Sequence, residues 1–124
     1  MKQNYRSKFE QTFHKQNPQF GYESDKFKYT QPATLHTYTP DFRVNDKLFI
    51  ETKGRLTASD RKKMIMVRDQ HPGVLFIIVF QNWSNKLSKL SKTTYREWAN
   101  KNGFLCYNNT LPDTYLNDVK SFKK

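Results

Sequence analysis

Cysteine is nearly absent. Cys106 is the only one in 124 residues, which excludes an intrachain disulfide and a cysteine-built zinc site. Set among Phe104, Leu105 and Tyr107, it reads as a buried strand residue. Long apolar runs are missing too: the longest, Val74 to Phe80, falls far short of the roughly 20 residues that cross a bilayer. Met1 to Glu10 lacks the apolar stretch of a secretory signal, and no basic amphipathic helix offers a stripe suited to a bilayer. These absences predict an intracellular, soluble protein that is not secreted and has no membrane partner. Glycine is scarce, and no repeat, low-complexity tract or linker divides the chain. Residues 1–124 therefore read as a single domain, as this length supports.

Acidic residues are few relative to basic ones. Lys and Arg total 22 against 11 Asp and Glu, a net charge of +11 and a pI near 9.8. Such an excess attracts polyanions and speeds their encounter, so nucleic acid is the expected partner. Aromatics, by contrast, are plentiful. Ten Phe, seven Tyr and two Trp offset a hydrophobic content of only 35%, because each ring buries a large area.

The chain reads as a mixed α/β layer structure. Ser7 and Glu10 form an S-x-x-E capping box that opens a first helix, with Phe9 and Phe13 on one face and Asn17-Pro18 as its stop. Phe27 and Tyr29 alternate as in a half-exposed strand. Tyr38 to Lys53 predicts a hairpin: Phe42 and Val44, then Leu48 and Ile50, flank an Asn45-Asp46 turn, and Gly54 ends the second strand. A second helix runs from about Ser59 to His71, capped by Thr57 or Ser59, with Met64, Val67 and His71 on one stripe and Pro72-Gly73 beyond it. Val74 to Phe80 predicts a central strand covered on both faces. Gln81 to Lys92 is a polar loop, and the capping box Thr94 to Glu97 opens a helix that Gly103 ends. Phe104 to Tyr107 predicts a short strand, and Tyr115, Leu116, Val119 and Phe122 a weak terminal helix.

One constellation carries chemistry. Pro40-Asp41 is followed, after nine intervening positions, by Glu51-Thr52-Lys53. Glu51 and Lys53 are two apart on a strand and so share a face, while Leu48, Ile50 and Thr52 point the other way, into the core. Hard divalent cations take oxygen ligands and few carboxylates, which Asp41 and Glu51 supply, with the Thr52 carbonyl as a third ligand. Such an ion neutralises a scissile phosphate and acidifies water; Lys53 orients that water or offsets phosphate charge. The hairpin register decides whether this works. A two-residue Asn45-Asp46 loop sets Asp41 opposite Ile50 and on the wrong face, so the chemistry requires an odd-numbered loop, such as one over Asn45-Asp46-Lys47, or a bulge.

The stretch H-T-Y-T-P-D-F, the strand ending E-T-K-G, S-D-R-K-K with its helix and Q-H-P, Ile78-Val79-Phe80, the lysine-bearing loop and Thr94-Tyr95 together resemble the bacteriophage endonuclease I family of Holliday-junction resolvases. This is a branch of the PD-(D/E)XK nucleases. The resemblance covers roughly residues 36 to 112 and, more loosely, the start of the chain. It implies a restriction-endonuclease-like sheet flanked by helices, in an intertwined homodimer that exchanges an N-terminal helix within residues 1–18. It implies an endonuclease acting on branched DNA in the host cytoplasm, with a pair of Mg²⁺ ions per site, for which Mn²⁺ substitutes. Glu10, Asp41, Glu51 and Lys53 fall on the family's catalytic positions, with Glu10 joining Asp41, Glu51 and Thr52 around the metals. For Glu10 the alternative is the capping role, which is also an adequate physical account.

The remaining basic residues divide by position. Arg61, Lys62 and Lys63 open the second helix just after the active strand, and Arg55 lies between them, so phosphate contact is the functional reading. Lys86, Lys89 and Lys92 recur in the polar loop, either as a solvated charge run or as a DNA contact. His36 reads as a structural hydrogen-bonding residue, Trp98 as helix packing, and Trp83 is left open between packing and base stacking. Two other readings stay alongside: a PD-(D/E)XK repair, restriction or transposon-end nuclease, and a non-catalytic DNA-binding protein. The intact Asp41, Glu51 and Lys53 count against the last, since binding alone needs no carboxylates near phosphate.

Overall fold

The computed structural model describes residues 5–31 and 34–122; Met1 to Asn4 and Lys123-Lys124, parts of the expected terminal segments, lie outside them. In chain order the elements are α1 (Lys8–Gln16), β1 (Gly21–Tyr22), β2 (Phe27–Gln31), β3 (Thr34–Tyr38), β4 (Phe42–Asn45), β5 (Leu48–Lys53), α2 (Ala58–Gln70), β6 (Leu75–Phe80), α3 (Tyr95–Lys101), β7 (Cys106–Asn108) and α4 (Tyr115–Ser121). The expected mixed α/β architecture is present. Five strands form one sheet in the order β1-β4-β5-β6-β7, and β2 pairs with β3 in a separate ribbon. The pairs β1/β4 and β4/β5 are antiparallel, whereas β5/β6 and β6/β7 are parallel.

Alternation along β6 shows why the sheet is two-sided. Phe76, Ile78 and Phe80 join Met64, Val67, Trp98 and Phe104 under α2 and α3. Ile77 and Val79 point the other way, to Phe13, Phe20, Phe42, Leu48 and Ile50 beneath α1. A strand apolar on both sides cannot face water on either, so helices must cover both. Each of these buried side chains contributes about 1.5–3 kcal/mol of transfer free energy. The expected strand at Val74 to Phe80 is therefore central, as read.

Both faces of β5 are buried as well, which corrects one expectation. Phe49, on the same face as Glu51, sits in the core under α2, so that face is not open around the carboxylate and ammonium. Thr52 in turn is not a core-filling residue; it turns toward Asp41.

The hairpin meets its register requirement through a bulge. Phe42 pairs with Ile50 and Arg43 with Phe49, but Asn45 pairs with Leu48, so Val44 is the surplus residue. The Asn45 side-chain oxygen accepts the Lys47 N–H at 2.8 Å, an Asx-type closure that moves the turn one residue beyond the expected Asn45-Asp46. One further step down the ladder brings Asp41 alongside Glu51 rather than Ile50.

Helix α2 begins at Ala58 with Thr57 as its cap, choosing between the two expected caps. Its stripe is tied to the ribbon: His71 Nε2 donates to the Lys28 carbonyl at 2.6 Å, and the Gln70 amide bonds both the N–H and the carbonyl of Thr30. Strands β1 and β3 had no sequence expectation. The expected strand at Phe104 to Tyr107 begins two residues later, and α4 occurs where expected but buries no residue fully. Among the described residues no helix is long and apolar enough to cross a membrane.

Candidate active site

The C-terminal ends of the parallel pair β5 and β6 form one wall of a cavity of about 430 Å³, with the first turn of α1 as the other. Arg6, Glu10, Asp41, Glu51, Thr52, Lys53, Arg55 and Gln81 are among its lining residues. Cavities at the carboxyl ends of parallel strands are where open α/β sheets bind ligands. A larger groove of about 690 Å³ lies between the C-terminal ends of α2 and α3 and contains none of these carboxylates. The smaller one is therefore the candidate site.

Three carboxylates in the cavity are buried: Glu10 is 7% exposed, Asp41 3% and Glu51 6%. Each is held by a hydroxyl. The Tyr22 phenol donates to Glu10 Oε2 at 2.5 Å, and the Tyr38 phenol to Glu51 Oε1 at 2.5 Å. Asp41 Oδ2 accepts both the Thr52 hydroxyl, at 2.8 Å, and the Thr52 N–H, at 2.9 Å. The Thr52 contact with Asp41 thus runs through its two donors. Lys53 Nζ lies 3.2 Å from Glu51 Oε2 and 3.3 Å from Asp60 Oδ1.

Glu10 corrects the expected capping box. Ser7 Oγ accepts the Glu10 N–H at 3.1 Å, which is half of the box, but the Glu10 carboxylate is turned to Tyr22 and the cavity. The two other such motifs close completely: Asp60 and Glu97 each bond back to the N-cap N–H, of Thr57 and Thr94 respectively.

The electrostatics follow from burial and proximity. Burial, reinforced by the charges of Glu51 and Glu10, pushes Asp41 up to about 8 against the pull of its Thr52 hydrogen bonds. Burial also raises Glu10, outweighing the Tyr22 hydrogen bond. For Lys53, burial works to lower the pKa, but Glu51 and Asp60 outweigh it and hold the ammonium charged. Tyr38 is raised by burial and by the adjacent Glu51, so its phenol stays a donor.

The sequence motifs assign no role to four residues of this site, Tyr22, Tyr38, Arg6 and Glu23. One carboxylate oxygen each from Glu10, Glu23 and Asp41 lie within 4.8 Å of one another. The donor set is all oxygen and suits a hard divalent cation rather than a soft one. Glu23 Oε2 is buried and lies 3.0 Å from Arg6 Nε as an ion pair. The residues present therefore fit a divalent metal.

The expected phosphate contacts are distributed unevenly. Arg55 is exposed at the cavity mouth, and Lys62 is exposed on α2. Arg61 instead donates to the Leu56 carbonyl at 3.1 Å, and Lys63 lies over the Tyr38 ring at 5.6 Å. Lys86, Lys89 and Lys92 are exposed on a loop braced by the Leu87 N–H to the Thr93 carbonyl at 2.9 Å. His36 stacks on Tyr29 and bonds Thr34 Oγ1, and Trp98 packs on Phe104, both structural as read. Trp83 carries the Arg96 guanidinium on its ring at 4.1 Å.

Phage endonuclease I, as a family, matches residues 1–123. Endonuclease I of Escherichia phage T7 is 41% identical over 101 residues, covering 82% of this chain and 68% of that protein. Endodeoxyribonuclease 1 of Enterobacteria phage T3 is 40% identical over 101 residues, covering 82% of this chain and 66% of that protein. The chain thus spans about two thirds of the length of each relative. On the match across its length, the chain belongs to the phage endonuclease I family.

Proposed function

We propose that this protein is a metal-dependent endodeoxyribonuclease with a restriction-endonuclease-like fold that resolves branched DNA, such as four-way junctions, inside the host cell. The observation that carries the reading is the convergence of Glu10, Asp41, Glu51 and Lys53 on one cavity at the end of β5 and β6. Asp41 and Glu51 would hold divalent metal, with the Thr52 carbonyl as a third ligand, and Glu10 would complete a second position. Mg²⁺ is the expected ion, with Mn²⁺ as a substitute and two ions per site. When bound, the metal supplies charge neutralisation at the phosphate and acidifies water.

The chain's own groups do the rest. Tyr38 fixes the Glu51 carboxylate, so its second oxygen is presented to Lys53 and the cavity. Thr52 holds Asp41 with two donors, which pre-sets its orientation. Asp60 and Glu51 hold Lys53 charged between them, where it offsets charge on the scissile phosphate and orients the attacking water. Arg55, Arg61, Lys62 and Lys63 flank this site as backbone contacts, and Lys86, Lys89 and Lys92 extend the basic surface along the loop.

Cutting of a synthetic four-way junction in Mg²⁺, set against the same arms as linear duplex, tests the reading. Preferential junction cleavage that EDTA abolishes is expected. Preferential duplex cleavage would instead favour another PD-(D/E)XK activity, and binding without cleavage the non-catalytic reading.

The single nuclease domain is proposed to act as an intertwined homodimer. In the single chain, α1 packs beside its own β4–β5 hairpin, with Phe13 against Phe42; exchange of this helix within residues 1–18 would make the same contact between two chains. A heterodimer of Glu10→Ala and Asp41→Ala chains decides it. With shared sites, both lesions fall in one site, the other stays whole, and the junction is nicked. A verified heterodimer that cuts nothing means that each site lies within one chain.

A further inference from the structure

No motif assigns a role to Arg96 or Trp83, yet the fold builds them into one unit. The Arg96 guanidinium lies 4.1 Å from the centre of the Trp83 ring, and the Arg96 N–H donates to the Trp83 carbonyl at 3.0 Å. The Trp83 N–H donates to Asn108 Oδ1 at 2.9 Å, which fixes it to the end of β7. The indole itself packs against the hydrophobic layer under α2 and α3. The ring is thus taken up by the core and by Arg96, and a base stacks on it only if Arg96 leaves. The unit stands at the end of the sheet that carries the cavity. Gln81 lines that cavity, and its N–H donates to the Lys53 carbonyl at 2.9 Å. Trp83 follows two residues later, within about 7 Å of extended chain.

We propose that Arg96, held on Trp83, docks a backbone phosphate of the DNA engaged at the cavity, with the indole as its platform. The inference rests on the DNA-cleaving reading above and extends the contact surface to the start of α3. The state of the guanidinium supports it. Arg96 is exposed, and among the described residues no carboxylate or hydrogen-bond acceptor engages its side chain. The neighbouring Glu97 is occupied at its cap, where its carboxylate accepts the Thr94 N–H at 3.1 Å and the Thr94 hydroxyl at 3.0 Å. Position supports it independently. Arg96 is the second residue of α3, where the helix dipole disfavours a cation. A cation set against its local field without a partner in the chain is placed for an anion from outside. Stacking leaves the edge donors of the guanidinium free, in the fork that matches two phosphate oxygens, and restricts the side chain before DNA arrives. The lysine loop is tied to the same point: the Tyr95 N–H donates to the Asn85 carbonyl at 2.8 Å, and Lys86 bridges to Thr94. Arg96 and that loop therefore meet a DNA arm as one basic surface.

The test is binding of a fluorescein-labelled synthetic four-way junction in EDTA, read by anisotropy across a salt series, with melting curves on the same proteins. Arg96→Gln is expected to weaken binding several-fold and to flatten the log–log salt slope by about one unit. Arg96→Lys keeps the charge without the fork, so it should retain the slope but bind less tightly than the unaltered chain. Trp83→Phe, which keeps a platform, should bind more tightly than Trp83→Ala. Unchanged affinity and slope in Arg96→Gln would overturn the proposal and leave the stack as a structural contact only. Tighter binding by Arg96→Gln with weaker binding by Trp83→Ala would overturn it as well, since a base then takes the uncovered ring. Should Trp83→Ala melt well below the unaltered chain, the two Arg96 variants decide alone, because that side chain is exposed. If the unaltered chain binds no junction at low salt, the DNA-cleaving reading falls together with the proposal. A negative result confined to Arg96→Gln leaves that reading standing.

Discussion

The N-termini of α1 and α3 are written almost alike: Ser7-Lys-Phe-Glu10 opens one helix and Thr94-Tyr-Arg-Glu97 the other. At α3 the box closes, with the Glu97 carboxylate accepting the Thr94 N–H at 3.1 Å and Glu97 exposed to solvent. At α1 the hydroxyl half forms, but the Glu10 carboxylate swings inward, is nearly buried and takes the Tyr22 phenol instead. Burying a carboxylate costs free energy unless it is matched by other groups, and the chain gives up a capping bond to do it. A local rule broken in one of three equivalent places marks a residue engaged elsewhere. The motif shows where a helix begins; whether its acid is free shows what that helix is for.

Activity should split the two helices most widely. Glu10→Ala, like Asp41→Ala and Glu51→Ala, is expected to abolish junction cleavage while sparing DNA binding. Lys53→Ala should lose about 10²–10⁴-fold. Glu97→Ala should cut normally. A Glu10→Ala protein that cuts like the unaltered one would erase the distinction and return Glu10 to its cap.

The pH dependence of stability provides a second, smaller separation. Asp41 is raised to about 8, chiefly by burial, with Glu51 and Glu10 adding to it. An acid that holds its proton more tightly folded than unfolded costs stability as pH rises from near its unfolded value of about 3.9 to its folded one. In EDTA the melting temperature should therefore fall between pH 5 and pH 8 by more in the unaltered chain than in Asp41→Asn. Mg²⁺ should restore it at pH 8. Parallel pH profiles for the two proteins would show that Asp41 does not titrate in that window.

The smallest effect lies in the caps themselves. Thr94→Ala should cost about 1 kcal/mol in urea unfolding, since its hydroxyl accepts the Glu97 N–H at 3.1 Å and donates to the Glu97 carboxylate at 3.0 Å. Ser7→Ala should cost less, because the second contact of its hydroxyl, to the Glu10 carboxylate, is stretched to 3.5 Å. Equal losses would mean that the Ser7–Glu10 contact tightens in solution.

The contrast also explains what could be read from residues alone. Asp41, Glu51 and Lys53 stood out as candidates only in combination, since an acid-x-Lys strand alone is common on solvated faces and Pro-Asp at hairpin distance in a basic chain is not. Strand β6 was legible because seven consecutive apolar residues bury on both sides. Tyr22 and Tyr38 were not. Each meets its carboxylate across 12 or 13 positions, a tertiary contact that the spacing of neither tyrosine records. The register was legible only as a requirement. Val44 became the surplus residue because Asn45 bonds forward to Lys47, a local competition that hydrophobic spacing does not record. The burial of the Glu51 face was missed because Phe49, which shares that face and packs under α2, was left out of the alternation.

Two of the site's carboxylates, on opposite walls of the cavity, each rest on a phenol at 2.5 Å. Phenol absorption and near-ultraviolet dichroism respond to what the hydroxyl hydrogen bonds to, so the cavity carries its own optical probe. A cation drawing on the same carboxylate lone pairs weakens those bonds and changes the tyrosine spectrum without any added label. Because Tyr22 reports on Glu10 and Tyr38 on Glu51, spectra of Tyr22→Phe and Tyr38→Phe would resolve which wall of the site fills first.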